Sequence, residues 1–343
     1  MNTYSMPVRL APFFQVSFAL ILFLSTLSIK AADQVFLNVS YDVSRELYKD
    51  FNQAFSSHFE AQSGGKITVH QSHGGSTKQA GAVIAGLEAD VVTMNQQLDI
   101  DQIASAGLID SGWRDQFPNQ SSPYTSTTVF LVRKGNPKNI KDWQDLIKPG
   151  VQVVLPNPKT SGNGRYSYLA AYGYALRKFG NNEKANEFIA ELFQQHVPIL
   201  PTGGRAATTS FIQHNTGDVL LTFENEAYLT SQDIGSDKFD IVIPSISIEA
   251  DHPVAIVDKV VDKNETRKLA EAYLNYLWSD IGQEIIAKHR YRPRNQEILS
   301  RYKENFPELI LLSITEIVPG GWSEAQKIHF SDGGLFDQLY KNR

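Results

Sequence analysis

Three short stretches share a pattern that could do chemistry: Ser72-His73-Gly74-Gly75-Ser76, Thr160-Ser161-Gly162-Asn163-Gly164 and Thr202-Gly203-Gly204-Arg205. Each is rich in glycine and hydroxyl side chains, and each reads as the end of a strand passing into a helix. The first turn of a helix leaves backbone N–H groups unpaired at the positive end of the peptide dipoles. Glycine lets a guest approach that backbone closely, and serine or threonine adds a neutral O–H, so the turns suit a small anion. One such turn usually does no more than join two elements; three in one chain point to a shared ligand. None has the Walker spacing or the G-x-G-x-x-G of dinucleotide sites, which disfavours nucleotides.

A small tetrahedral oxyanion fits better. Sulfate is fully deprotonated at neutral pH, so its oxygens want donors only. Monohydrogen phosphate keeps one proton and is satisfied by a carboxylate acceptor. A pocket built from N–H and O–H donors therefore selects sulfate, because a mismatched acceptor or proton is left unpaired. Thiosulfate, molybdate and phosphate remain alternatives, phosphate the weakest, since Asp42 is the one carboxylate the turns bring into question.

Other chemistries are weaker. A serine hydrolase using Ser72 or Ser76 with His73 lacks a G-x-S-x-G elbow and an acid that the sequence can place. Asp99-x-Asp101 stands at a helix start, where acidic residues favour the dipole, and no metal is expected there. Glu224 and Glu226 would repel a dianion and should pair with cations or solvent. Tyr168, Tyr172 and Leu176 read as core, and Arg290, Arg292 and Arg294 as a solvated or lobe-pairing surface. The chain has no cysteine, which removes thiolate, zinc–sulfur and disulfide chemistry. Its net charge of −5 argues against nucleic acid as a partner.

The elements that must position these turns follow from periodicity. Strands are expected at 35–40, 66–70 and 89–94, separated by helices, the first capped by Ser44. A long extended segment, 124–132, ends in Arg133-Lys134-Gly135-Asn136-Pro137, after which the pattern restarts. Strands follow at 152–155, 219–223, 239–244 and 254–257, with helices at 166–177 and 183–195 and a helical end from 265 to 289. Alternating strands and amphipathic helices predict doubly wound α/β sheets. At 343 residues, with 42% hydrophobic content, two α/β lobes with a cleft between them are expected. The division reads as 33–131 and 236–343 for the first lobe and 132–235 for the second. Residues 1–32, with Arg9, an apolar run and Ala31-Ala32, read as a secretory signal that is cleaved, consistent with a bacterial periplasm.

Beyond the turns, the chain carries Asn38-Val39-Ser40-Tyr41-Asp42, Arg45-Glu46-Leu47-Tyr48, Glu88-Ala89-Asp90-Val91-Val92-Thr93, Pro123-Tyr124-Thr125-Ser126-Thr127, Phe130 to Pro137, Asn157-Pro158-Lys159, Phe223-Glu224-Asn225-Glu226-Ala227, Gly282-Gln283-Glu284 and Tyr291-Arg292-Pro293-Arg294. In this order, over nearly the whole mature length, they resemble the periplasmic sulfate-binding proteins. The resemblance implies a two-lobed fold of type II topology with a central cleft. It also implies a monomeric receptor, without cofactor, that closes on sulfate, often also thiosulfate, and hands it to the membrane permease of an ABC importer. By the same resemblance, Asp42 acts through its N–H, Ser76 through hydroxyl and N–H, Ser161 through its hydroxyl, and Gly162 and Asn163 through N–H groups. Gly204, in place of the usual alanine, keeps its N–H, while Arg165 and Arg205 polarise peptide units without touching the anion. Two departures stand out: Phe223 replaces a tryptophan whose indole N–H reaches the sulfate, and Asn163 replaces a glycine. Loss of one neutral donor, worth roughly 1–2 kcal/mol, is expected to weaken sulfate binding about tenfold without abolishing it.

Overall fold

β-Branched and aromatic residues drive the first strand, β1 (Gln34–Tyr41), whose inward side chains Phe36, Val39 and Tyr41 are fully buried. In the computed structural model, which describes residues 1–3, 34–234 and 237–340, β1 is the central strand of the first sheet. The secretory signal expected over 1–32 lies, but for its first three residues, outside the described residues. A 3-10 turn, Asp42–Ser44, leads from β1 into α1 (Arg45–Ser63). There follow β2 (Ile67–Gly74), α2 (Ser76–Ile84), β3 (Val91–Thr93), α3 (Gln97–Ser105) and the single turn α4 (Pro118–Ser121). β2 and β3 flank β1 in parallel, and an antiparallel edge strand from much later in the chain completes the order.

The long segment expected at 124–132 divides at Thr127. Its first part, β4 (Tyr124–Ser126), stays in a small sheet, and its second part, β5 (Thr128–Arg133), enters a second four-stranded sheet. That sheet gathers β6 (Val153–Val154), β7 (Val219–Phe223) and β8 (Phe239–Val242) around β5, with β5 antiparallel to both β7 and β8. Its helices are α5 (Gly162–Phe179), α6 (Asn182–Glu191), α7 (Gly204–Ile212) and α8 (Glu224–Ile234). The return passage runs through β9 (Ile246–Ile248) and β10 (Ala250–Asp251), which pairs with β4, to β11 (Val254–Ile256), the edge of the first sheet. The two passages run side by side: Thr127 Oγ1 donates to Ile248 O at 2.8 Å, and Ser247 Oγ to Thr128 O at 2.8 Å. Two doubly wound sheets with two strand passages between them form the expected two-lobed, type II α/β fold.

Several local expectations change. Residue 132 falls inside β5, and β8 after residue 236 still belongs to the second sheet. The chain's last stretch was expected with the first lobe, but it packs on the second: Tyr168 of α5 bonds His329 Nδ1 at 3.0 Å and stacks edge-on with Phe330 and Phe336. Ser44 stands at the start of α1 but does not cap it; its hydroxyl turns back to Tyr41 O at 2.8 Å and pairs with Ser40. The expected helical end from 265 to 289 is two helices, Arg267–Tyr276 and Asp280–Lys288, broken where Ser279 caps the second.

Candidate functional site

Each expected turn sits at a helix start, and the starts meet. β2 runs on to Gly74, leaving Gly75 alone to precede α2, so Ser76 is its first residue. α5 begins at Gly162, four residues before the expected position, because the Ser161 hydroxyl accepts from Gly164 N at 3.4 Å and caps it. The residue before α2 and the residue before α7 are both glycines with no side chain to cap them; Asp42 takes one first-turn N–H of α7, that of Arg205, and the others are left for something else.

The glycines show how close the turns lie. A methyl carbon built on Gly75 would stand 3.0 Å from Thr160 O and 3.5 Å from Thr202 O. One on Gly203 would fall 2.6 Å from Asp42 Oδ2, and one on Gly204 3.0 Å from Asn163 Nδ2 and 2.9 Å from Val43 Cγ1. At Gly162 it would lie 1.9 Å from Asn95 Oδ1. Asp42 and Ser76 from the first sheet are thus brought against Ser161, Gly162, Asn163 and Gly204 from the second. Ser76 and Ser161 are buried, and Asn163 fully so.

The carboxylate of Asp42 is already engaged: its Oδ2 accepts the Arg205 N–H at 3.1 Å. Burial pushes its pKa up, opposed by that N–H and by the Arg205 guanidinium. The side chain is an acceptor used within the protein, at the start of α7. Arg205 itself bonds Glu46 Oε2 at 2.9 Å and lies 3.3 Å from Glu226 Oε2. Arg165 donates to Pro158 O at 2.9 Å and to Gln96 Oε1 at 3.3 Å. Both arginines are thus committed to protein partners, Arg165 to the peptide that leads into the 160–164 turn.

Asn163 and Phe223 turn out to be neighbours through Thr222. The Asn163 Nδ2 donates one hydrogen to Thr222 Oγ1 at 3.2 Å, and its Oδ1 accepts from Ser167, so its amide is anchored inside the second lobe. Phe223 is fully buried, its ring packed against Tyr166 and edge-on to His252. It offers no donor. His252 behind it has no hydrogen-bond partner on either ring nitrogen, and burial pushes its pKa down to about 3.

The carboxylates Glu224 and Glu226 pair with cations, as expected: Arg292 bonds both oxygens of Glu224, at 2.9 and 3.0 Å, and Arg205 lies 3.3 Å from Glu226, to which Thr208 also donates at 2.8 Å. Arg294 likewise pairs with Glu249 and Asp251. Asp99 does more than favour a helix start. It is fully buried and accepts from Thr77 Oγ1 at 3.0 Å and Gln96 Nε2 at 2.9 Å, and Gln96 passes that order on to Arg165. The Ser–His pairing of a hydrolase is not assembled: His73 Nδ1 lies 3.3 Å from Tyr41 O, and the Ser72 hydroxyl accepts from Gln79. Among the described residues no cluster of His, Asp and Glu could hold a metal, and no helix is long and apolar enough to cross a membrane.

Asn95 and Gln96 escaped the reading of the sequence. They follow β3 after Met94, at the carboxyl end of a strand of a doubly wound sheet, where such folds place ligands; the position was the available signal.

The family model for bacterial extracellular solute-binding proteins matches residues 43–292. A thiosulfate-binding protein of Pseudomonas aeruginosa is 56% identical over 310 residues, covering 90% of this chain and 93% of that one. A sulfate-binding protein of Salmonella typhimurium is 53% identical over 321 residues, 93% of this chain and 97% of the other. Among solved structures, the sulfate-binding protein SubI of Mycobacterium tuberculosis H37Rv matches with a TM-score of 0.78 at 29% identity, over 86% of this chain and 98% of that one.

Proposed function

The chain belongs to the bacterial extracellular solute-binding proteins, among the sulfate- and thiosulfate-binding members, and from that membership we propose that it captures sulfate between its lobes and delivers it to the membrane subunits of an ABC importer. It acts as a receptor in the periplasm and catalyses nothing. The observation that carries this reading is the meeting of helix starts from two sheets, at a place where α2 has no side-chain cap and Asp42 has its carboxylate taken up by Arg205 N–H. Such a pocket offers amides and hydroxyls and withholds acceptors, which suits a fully deprotonated dianion.

The ligand shell we propose is the N–H groups of Asp42, Ser76, Gly162, Asn163 and Gly204 with the hydroxyls of Ser76 and Ser161. Arg165 and Arg205 hold these peptides in place from behind. Closure of the two lobes about the strands at 127–128 and 247–248 removes the anion from water. Thiosulfate is the second ligand, favoured by the 56% identity to a protein named for it.

Calorimetric titration with sulfate, thiosulfate, molybdate and phosphate tests this. Sulfate and thiosulfate are expected to bind, and Phe223→Trp to tighten sulfate about tenfold by restoring one neutral donor. Phosphate binding tighter than sulfate would overturn the donor-only reading.

A further inference from the structure

Asn95 is 2% exposed, and its Oδ1 has no hydrogen-bond partner. A buried, unpaired amide oxygen is costly and uncommon. Its place makes the vacancy informative. The Asn95 main-chain N–H donates to Ser76 Oγ at 3.3 Å, so the residue is fixed to a donor of the first lobe. Its side-chain amide lies over Gly162 of the second lobe, so close that a methyl carbon there would stand 1.9 Å from Oδ1 and 3.1 Å from Nδ2. Asn95 therefore touches a donor residue from each side of the cleft, at the carboxyl end of β3.

We infer that the Asn95 side chain is itself a ligand of the anion, donating Nδ2–H to it. The inference rests on the functional reading above. An amide carries an acceptor and a donor on one carbon, and a half-turn about its last torsion exchanges them. Against a dianion the oxygen turns away and the NH2 turns in; with the cleft open, the amide is free to choose. Asn163, the other amide in the neighbourhood, already gives one N–H to Thr222 and accepts from Ser167 within the second lobe. Phe223 gives nothing to the site but bulk.

Asn95→Asp keeps the shape and replaces the donor by a carboxylate, and it is the deciding variant. Full-length protein carrying it is expected to bind sulfate at least about a hundredfold more weakly. Monohydrogen phosphate, whose proton the new acceptor satisfies, should lose far less, so the sulfate-to-phosphate preference shrinks or reverses. Asn95→Ala should cost sulfate about tenfold, and Asn95→Ser, which keeps a neutral donor, less than that. Melting of the anion-free variants, followed by circular dichroism, separates a ligand role from a structural one. Unchanged melting with lost affinity supports the ligand role, whereas parallel loss of both with an unchanged anion preference overturns it. Asn95→Asp that binds sulfate within threefold of the parent protein also overturns it while leaving the functional reading intact. Parent protein that binds none of sulfate, thiosulfate, molybdate and phosphate overturns both.

Discussion

A single buried carboxylate illustrates how the site manages charge without spending it on the ligand. Glu226 is fully buried, and burial pushes its pKa up to about 7 although Arg205 and Thr208 pull the other way. An acid whose folded pKa is raised holds its proton in the native state over a range where the unfolded chain has lost it. Stability from this group is therefore greatest at low pH and falls as pH rises from its ordinary value near 4.5 through about 7. Glu226→Gln removes that titration. Relative to the parent protein, the variant should gain about 3 kcal/mol between pH 4 and pH 8, whatever the constant difference between them. Urea denaturation at the two pH values measures it, and an equal difference at both would refute the assignment. Asp42 is the companion case: the sequence made it the one carboxylate in question, and the structure disposes of it by a hydrogen bond to Arg205 N–H.

At the scale of elements, the starts of α5 and α7 are crowded into one another. Asn163 and Gly204 share a volume that the related proteins, by the resemblance, fill with a glycine and an alanine. Here the larger residue is on α5 and the smaller on α7, and a methyl at 204 would sit 3.0 Å from the Asn163 amide and 2.9 Å from Val43 Cγ1. Overpacking of this kind typically costs about 1–3 kcal/mol. Gly204→Ala alone should weaken sulfate binding by about tenfold or more, because Val43 belongs to the opposing lobe and the methyl resists closure. Asn163→Gly with Gly204→Ala should recover most of that loss, and additive single effects in a calorimetric double-mutant cycle would count against the shared volume. The start of α5 was missed although its cap is local: Ser161 caps the helix at Gly162, where the sequence pattern placed the start at 166. The start of α1 was placed correctly after Ser44, but by residue type and not by a cap: the Ser44 hydroxyl goes to Tyr41 O and Ser40. β7 was legible to its ends because five apolar or β-branched residues, all buried, leave no other solution.

Over the whole molecule, the end of the chain supports the 160–164 turn. Lys159, next to Thr160 and Ser161, places its ammonium 3.0 Å from Phe330 O and 3.1 Å from both Ser331 O and Asp337 Oδ2. The same stretch buries His329, Phe330 and Phe336 against α5. Removal of residues 314–343 should therefore lower the melting temperature by several degrees and weaken sulfate binding, since the turn loses the groups that anchor Lys159. A truncated protein with unchanged affinity would show the turn to be self-supporting. The same contacts explain why the lobe division was only partly legible: periodicity marks where an element lies, and only long-range packing shows which sheet it joins.

By itself the sequence determined the alternation of strands and helices, the three glycine-and-hydroxyl turns, and the donor chemistry they can offer, because each depends on residues near one another along the chain. Tertiary structure alone decided that the turns meet, that Asp42 is consumed by Arg205, that the chain crosses between sheets at Thr127, and that Asn95 stands between Ser76 and Gly162. Those are contacts between residues far apart in sequence. Their partners are chosen by the packing of whole sheets, which no local pattern records.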